Sequence, residues 1–226
     1  MFARTFPLFA LSATLLSGCG GITATVAQSP QPANSAPTVV AAAALSASAF
    51  VVPAADGSIG SDLIQTSADA VIDTDGDGYG YLAGKDASDS SLHTVAGLVG
   101  GDALTALPGS GTASYDGYFE LYHLNRPTTG SSRADLRSLT GAMTITLDMT
   151  NDSFSGASAG TVNGRPALML SGQITGDTLT GIASYTNGTV AMTGDMIGRA
   201  GTEKVIGAYH GNNGSDSFAG GFLATP

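Results

Sequence analysis

Basic residues are scarce in this sequence, and so are cysteine, histidine and tryptophan. Eight lysines and arginines stand against eighteen aspartates and glutamates in 226 residues, which gives a formal net charge of −10. Proteins that bind nucleic acid need a basic face for the phosphates, so this balance excludes nucleic acid as a partner. The single cysteine, Cys19, excludes an internal disulfide. Three histidines without a second cysteine provide no zinc-site spacing.

The sequence also shows no motif that is typical of an enzyme active site. We find no recognisable set of nucleophile, base and acid, and no phosphate-loop or dinucleotide-binding glycine pattern between a strand and a helix. Charged residues make up 12% of the chain, which contains 32 glycines. This composition is typical of an extracellular all-β protein, and we expect a protein that is not an enzyme.

The N-terminus has the pattern of a bacterial lipoprotein signal peptide. Arg4 supplies the positive charge, and an apolar core follows over residues 6–16. The next residues, Leu16-Ser17-Gly18-Cys19, form a lipobox. We therefore predict a signal peptide over residues 1–18 and acyl chains on Cys19 that anchor the protein in a membrane. The alternative is an ordinary signal peptide with an incidental cysteine. Gly20, in place of an aspartate, favours the outer membrane, and we expect the protein at the cell surface.

Two regions of different composition follow the lipobox. Residues 19–47 contain the lipidated cysteine and a tether rich in proline and small residues, which holds the folded part away from the lipid. Residues 48–106 contain nine aspartates and one base, Lys85, with alternating stretches such as Tyr79-Gly80-Tyr81-Leu82. This alternation predicts a small, acidic, β-rich subdomain.

The last region, residues 107–226, repeats a pattern of an apolar residue, a spacer and a glycine. Around these glycines apolar and small polar residues alternate, and turn pairs such as Asn187-Gly188 separate the runs. The pattern predicts eight short antiparallel strands in an all-β fold. Glycines inside strands mark bends, and bends favour a closed up-and-down barrel. An open sandwich and a glycine-rich solenoid are the alternatives.

Three stretches of this region resemble the transferrin-binding protein B family. Residues 194–207 (GDMIGRAGTEKVIG) and 218–222 (FAGGF) are similar to the closing barrel strands of that family, and residues 107–117 (LPGSGTASYDG) to its first strand. The resemblance implies a lipoprotein barrel with a small handle domain beside it, so residues 48–106 would be handle-like. It also implies a surface protein that captures a host iron-carrier protein or haem, together with an outer-membrane receptor or a lipoprotein exporter. Here Met196 and Ile197 replace the usual aromatic pair, and Arg199 replaces a proline.

An acidic run within the handle-like region is the sharpest candidate for a metal site. Asp73, Asp75 and Asp77 alternate and are followed by Gly78, as in the first half of a calcium loop. The closing glutamate is missing, because Gly84 occupies its position. The run predicts either a Ca²⁺ site or an acidic hairpin turn.

The candidate ligand-binding residues are Arg126, Arg133 and Arg137. They lie in the longest predicted connection of the barrel, from His123 to Ser138, and long connections are commonly functional or mobile. Arginine is favoured in binding interfaces because its guanidinium pairs with carboxylates and stacks on rings. The loop could dock an outside partner, pack against the acidic region of the same chain, or remain solvated.

The sequence therefore predicts a lipid-anchored, surface-exposed binding protein whose ligand is unknown. The alternatives are a structural or adhesive surface module stabilised by calcium, and a barrel that holds a small apolar molecule in its lumen. Because some members of the resembled family bind haem, the resemblance makes several residues candidate haem ligands: His93, His123, His210, Tyr79, Tyr81 and Tyr122.

Overall fold

The computed structural model describes residues 38–41, 52–53, 63–86, 92–100, 103–125, 135–162, 164–188 and 190–226. Their secondary structure consists of β-strands, and none of these residues belongs to a helix long and apolar enough to cross a membrane. The lipobox, most of the tether, Arg126 and Arg133 lie outside the described residues.

The first five strands form a small antiparallel sheet, which we call the handle sheet. They are β1 (Thr38–Ala41), β2 (Val52–Pro53), β3 (Leu63–Ile72), β4 (Gly78–Asp86) and β5 (Leu92–Val99). Their order across the sheet is β1-β3-β4-β5-β2, so the three long strands occupy the centre. The short strands β1, from the tether region, and β2, from the start of the acidic region, lie at the edges.

The remaining strands build a closed barrel. They are β6 (Thr112–Asn125), β7 (Asp135–Asp148), β8 (Ser153–Ser158), β9 (Thr161–Val162), β10 (Arg165–Pro166), β11 (Leu168–Thr175), β12 (Thr178–Asn187), β13 (Val190–Ala200), β14 (Val205–Asn212) and β15 (Asp216–Thr225). Eight of them pair in sequence order, and β15 pairs with β6 to close the ring, while β9 and β10 form a separate hairpin. The predicted eight-stranded up-and-down barrel is confirmed, and the sandwich and solenoid alternatives are wrong.

Large apolar side chains fill the barrel lumen. Alternate residues of each strand point inward, as the period of two requires, and fully buried examples include Leu121, Ile145 and Phe222. The same cluster contains Phe119, Phe154, Phe218, Met143, Met192 and Met196. These large side chains occupy the lumen, which weighs against a bound apolar molecule there, and the lumen-binding alternative stays a prediction.

Glycines occur in the strands where backbones or rings approach too closely for a side chain. A Cβ on Gly220 of β15 would meet the carbonyl oxygen of Glu120 on β6. A Cβ on Gly207 of β14 would meet the ring of Phe222. The repeated glycine of the sequence therefore serves close strand and ring packing in the strongly coiled barrel.

The barrel has two ends, which we call the base and the mouth. The base comprises the turns at residues 149–152, 176–177 and 201–204, where segment 103–111 enters β6. The mouth comprises the connection 126–134, the β9–β10 hairpin and the turn 213–215. Because strands alternate in direction, these two sets of turns lie at opposite ends.

The handle sheet covers the outer face of β14 and β15. Tyr79, Tyr81 and Leu98 of the handle sheet share an apolar cluster with Ile206 and Ala219 of the barrel. Every residue of β14 except its last, Asn212, and residues 217–222 of β15 are buried, whereas the outer faces of the remaining barrel strands include exposed residues. The sheet that the resemblance implied is present beside the barrel, whereas the division of the chain at residue 106 stays a prediction.

Candidate functional site

A buried polar cluster lies at the mouth of the otherwise apolar barrel. His123, at the end of β6, is 1% exposed, and its Nε2 lies 3.0 Å from Oδ1 of Asp216 at the start of β15. Its Nδ1 lies 3.4 Å from the side-chain amide nitrogen of Asn187. These contacts fit a neutral imidazole that donates from Nε2 to the carboxylate and accepts the amide at Nδ1. The cluster joins the neighbouring strands β6 and β15 to the end of β12, which lies on the opposite side of the barrel ring from β6.

Tyr185 connects this cluster to the core. Its ring lies 5.4 Å from that of His123, edge to face, and 5.7 Å from that of Phe218. Burial raises the pKa of the Tyr185 phenol, the positive charge of Arg137 opposes that increase, and the negative charge of Asp216 adds to it. Arg137 therefore acts electrostatically on the same cluster.

The structure shortens the predicted docking loop. Strand β6 runs to Asn125 and β7 begins at Asp135, so the connection is 126–134, and the predicted bounds His123 to Ser138 are wrong. The cause is the continuous pairing of these strands, in which His123 lies opposite Arg137. Arg137 is exposed on β7 at the mouth. The binding role of the three arginines stays a prediction.

The acidic run forms the turn between β3 and β4, at the base. Oδ1 of Asp73 accepts the backbone N–H groups of Asp75 and Asp77 at 2.9 and 3.0 Å, and Gly76 has a positive φ of 88°. The three carboxylates converge, as the alternate spacing predicted. The group at their centre is Lys204, whose Nζ lies 2.6 Å from Asp73, 3.2 Å from Asp75 and 3.0 Å from Asp77.

Lys204 takes the position of a cation in this turn. Burial alone lowers the pKa of its ammonium, but the hydrogen bonds to Asp73, Asp77 and Asp75 outweigh burial and raise it. Among the described residues, no group of three or more acidic, histidine or cysteine side chains is arranged to hold a metal ion. Calcium binding at Asp73, Asp75 and Asp77 stays a prediction, and the structure provides a different cation for them.

A second positively charged residue, Arg199, extends this contact between the handle sheet and the base of the barrel. Arg199 lies 3.8 Å from Asp77 and 3.7 Å from Asp177. Lys204 and Arg199 are more than 120 residues from the acidic turn, so local sequence patterns could not pair them. The one sequence feature that could have drawn attention to Lys204 is the scarcity of lysine, since the chain has two.

Most of the candidate haem ligands have side chains that pack against other residues of the chain. Tyr79 lies against Gly221, and the fully buried Tyr81 stacks on Tyr122 with ring centres 4.7 Å apart, all within the interface of the handle sheet and the barrel. His123 belongs to the mouth cluster. Haem ligation by these tyrosines would require the handle sheet to leave the barrel. The side chain of His93 lies outside the described set.

His210 lines an open cleft that is formed by residues of β12, β13 and β14. The cleft has a volume of about 410 Å³ and is lined by Ile182, Thr193, Gly194, Asp195, His210, Gly211 and Asn212. His210 itself is 7% exposed. The cleft is shallow and mixed in polarity, unlike the enclosed apolar pockets that bind most small ligands.

One serine has the sequence spacing of a catalytic motif but not the structure that the motif requires. Residues 156–160 (GASAG) have the Gly-x-Ser-x-Gly spacing of a hydrolase nucleophile elbow. The elbow requires a turn from a strand into a helix, whereas this run leads from β8 toward the β9–β10 hairpin. The hydroxyl of Ser158 donates to the carbonyl of Gly160 at 3.0 Å and accepts the N–H of Leu168 at 3.1 Å. Ser158 therefore ties the hairpin to the barrel.

Comparison of the sequence with family models and with curated proteins finds no match. Among solved structures, transferrin-binding protein B of Haemophilus parasuis is similar over 74% of this chain and 37% of its own, at 16% identity and a TM-score of 0.49. The protein from Neisseria meningitidis is similar over 76% and 36%, at 13% identity and a TM-score of 0.45. A surface lipoprotein is similar over 79% and 82%, at 14% identity and a TM-score of 0.43. This chain thus spans little more than a third of the two transferrin-binding proteins, and likenesses this distant identify no ligand.

Proposed function

We propose that the protein is a lipid-anchored, surface-exposed bacterial binding protein that captures its partner at the barrel mouth. The observation that carries the proposal is the polar cluster of His123, Asp216 and Asn187, built at the end of a barrel that is otherwise filled with apolar side chains. Burying polar groups there is costly unless they are paired, and a barrel needs no such cluster for its core. Exposed Arg137 lies across the strand pair from His123 and adds a positive group to this end.

The path of the tether supports an outward-facing mouth. Thr38 of β1 pairs with Ile72, next to the acidic turn at the base, and Ala41 pairs with Asp69 further along β3. The chain from the predicted lipid at Cys19 therefore enters the handle sheet from the base side. Residues 20–37 reach at most about 60 Å when fully extended. An anchor attached at the base leaves the mouth on the side facing away from the membrane.

The proposed partner is a host iron-carrier protein or haem, as the resemblance of residues 194–207 and 218–222 to transferrin-binding protein B suggests. An anionic or acidic surface on the partner suits Arg126, Arg133 and Arg137, because guanidinium groups pair with carboxylates. Delivery to the cell surface implies a lipoprotein exporter, and passage of iron into the cell implies an outer-membrane receptor.

The binding test uses the purified full chain immobilised on a sensor surface. We expect iron-loaded transferrin or haem to bind, and the triple substitution Arg126→Ser, Arg133→Ser and Arg137→Ser to weaken binding by at least tenfold, which is about 1.4 kcal/mol. The matched control is Arg165→Ser, because Arg165 is exposed on the separate β9–β10 hairpin. Haem is followed by its Soret band.

Three results separate the proposal from its alternatives. Loss of binding in the triple variant, with an unchanged melting temperature, would support partner binding at the three arginines. If the Arg165→Ser control loses as much binding as the triple variant, the partner binds elsewhere on the mouth. If neither probe binds the folded wild-type chain, iron capture is wrong, and the structural or adhesive surface module becomes the better reading.

The anchoring part of the proposal has its own test. Cys19→Ser removes the thiol that would carry diacylglycerol, so we expect the variant to lose radiolabelled palmitate and to move from the membrane to the soluble fraction. Ser17→Ala keeps a small residue in the lipobox and serves as the control. An unacylated wild-type protein, measured by intact mass, would contradict lipid anchoring.

A further inference from the structure

The acidic turn at the base has a resident cation supplied by the protein itself. Three carboxylates surround Nζ of Lys204 at 2.6 to 3.2 Å, and an ammonium has three N–H donors to match them. These are lengths of charge-assisted hydrogen bonds. A calcium ion would instead need six to eight oxygens at about 2.3–2.6 Å.

Lys204 is held in place from the barrel side. Gly201 donates its N–H to the carbonyl of Lys204 at 2.9 Å, and Thr202 donates to the carbonyl of Thr105 at 3.1 Å. The carboxylate of Glu203 accepts the N–H of Thr105 at 2.9 Å. The turn 201–204 is therefore fixed against segment 103–111, and the Lys204 side chain, 7% exposed, extends from it to the handle sheet.

The acidic turn is also prepared on its own side. Asp73 uses one carboxylate oxygen for the N–H groups of Asp75 and Asp77 and the other for Lys204. Asp77 is 4% exposed and would be a buried anion without Lys204 and the more distant Arg199. Both halves of the contact are thus pre-shaped, one on each side of the interface.

We propose that Lys204 and the turn of Asp73, Asp75 and Asp77 form a latch that fixes the handle sheet to the barrel base. The ammonium is the cation of the turn and keeps a divalent ion out. The latch lies at one end of the apolar interface between the handle sheet and the barrel. Tyr79 and Ile206 pack within that interface. Opening it exposes that interface from the base while the mouth stays intact. The inference is independent of the binding function proposed above.

The first test compares thermal unfolding of the full chain in EDTA and in millimolar calcium chloride. Lys204→Met keeps the apolar stem and removes the charge, and we expect it to lower the melting temperature by roughly 5 °C or more, because it leaves Asp77 buried and unpaired. The control is Lys85→Met, since Lys85 is the other lysine and lies in β4 near the end away from the turn. Calcium should leave the wild type unchanged and stabilise Lys204→Met by mass action. Adding Asp75→Asn to that variant should remove the calcium response.

The outcomes of this test are distinct. Stabilisation of the wild type by calcium to the same extent as Lys204→Met would overturn the proposal, because the ammonium would then not occupy the turn. Equal melting temperatures of wild type and Lys204→Met would also overturn it. A destabilised Lys204→Met that does not respond to calcium would support the latch, but it would overturn the statement that the ammonium keeps a divalent ion out of the turn.

The second test needs no variant and applies even if Lys204→Met fails to fold. Limited acetylation of the wild-type chain is followed by mass spectrometry, in which the two lysines fall on separate peptides. We expect Lys204 to react about tenfold or more slowly in the native protein than in urea, since reaction requires the contact to open. Equal rates in both conditions would show that the ammonium is free, and the latch would be refuted.

Discussion

The seam between β15 and β6 closes the barrel, and Gly220 is a residue of that seam where a side chain has no room. A Cβ on Gly220 would meet the carbonyl oxygen of Glu120 and lie 2.9 Å from Cα of Leu121. Both are backbone atoms of β6, so no rotamer change relieves the contact. The same carbonyl accepts the hydroxyl of Tyr209 at 2.7 Å. Gly220→Ala must therefore push the two strands apart or bend one of them.

The expected cost follows from opposing contributions. Overpacking a close-packed site costs about 1–3 kcal/mol. Weakening the bond from Tyr209 adds about 1 kcal/mol. The lost flexibility of the unfolded chain returns about 0.4–1 kcal/mol. We expect a net destabilisation of about 1–3.5 kcal/mol, which lowers the melting temperature of a chain of this size by roughly 2–14 °C.

Urea unfolding, followed by far-ultraviolet circular dichroism, measures this loss. Gly109→Ala is the matched control, because a Cβ there meets no atom within 4 Å. We expect the control to be neutral or slightly stabilised, with the midpoint falling for Gly220→Ala alone. If both variants unfold at the wild-type midpoint, Gly220 is not a site of close strand approach, and the explanation of the repeated glycines is wrong.

Two further predictions concern the polar contacts at each end. Because the pKa of Lys204 is raised in the folded protein, its contribution is complete below the ordinary lysine pKa of about 10.4 and is lost as the pH rises toward the folded value. The difference in melting temperature between wild type and Lys204→Met should therefore be constant from pH 7 to about pH 10 and shrink above it; a difference that grows there would contradict the assignment. At the mouth, Asp216→Ala should cost about 1–3 kcal/mol because His123 loses its acceptor, while Asp216→Asn, which keeps an acceptor oxygen, should cost less. Equal costs in calorimetry would show that the contact with His123 is not what stabilises this end.

The barrel could be predicted from the sequence because its signals are local. The alternation in residues 143–147 identifies an inward and an outward face within one strand, and Asn187-Gly188 identifies a hairpin without reference to the rest of the chain. Closure followed from glycines such as Gly207, since strands that bend this often form closed, strongly coiled sheets. The strand ends were less predictable. Polar residues near Arg137 resembled a loop, but pairing with β6 extends β7 to Asp135.

The latch at the base could not be predicted, because it joins residues far apart in the chain. The spacing of Asp73, Asp75 and Asp77 correctly indicated carboxylates that converge on a cation. What the cation is depends on where the turn 201–204 lies in the folded protein. The tyrosines were misjudged for the same reason. Tyr79 and Tyr81 were candidates for ligands in isolation, and their role in packing against Gly221 and Tyr122 depends on the docking of two sheets.

The surfaces of the described residues bear on our proposal that a partner binds at the mouth. The lumen is filled, and the handle sheet covers β14 and β15. Among the described residues, the exposed large hydrophobic side chains are Tyr118, Met169 and Ile182, at 37%, 49% and 52% exposure. Single exposed apolar residues of this kind are normal on soluble proteins and do not mark an interface. The base uses its charges internally, since Lys204 and Arg199 pair with aspartates of the same chain. At the mouth Arg137 is exposed on β7, across the strand pair from His123 of the polar cluster, and we propose this end as the place where an acidic partner binds.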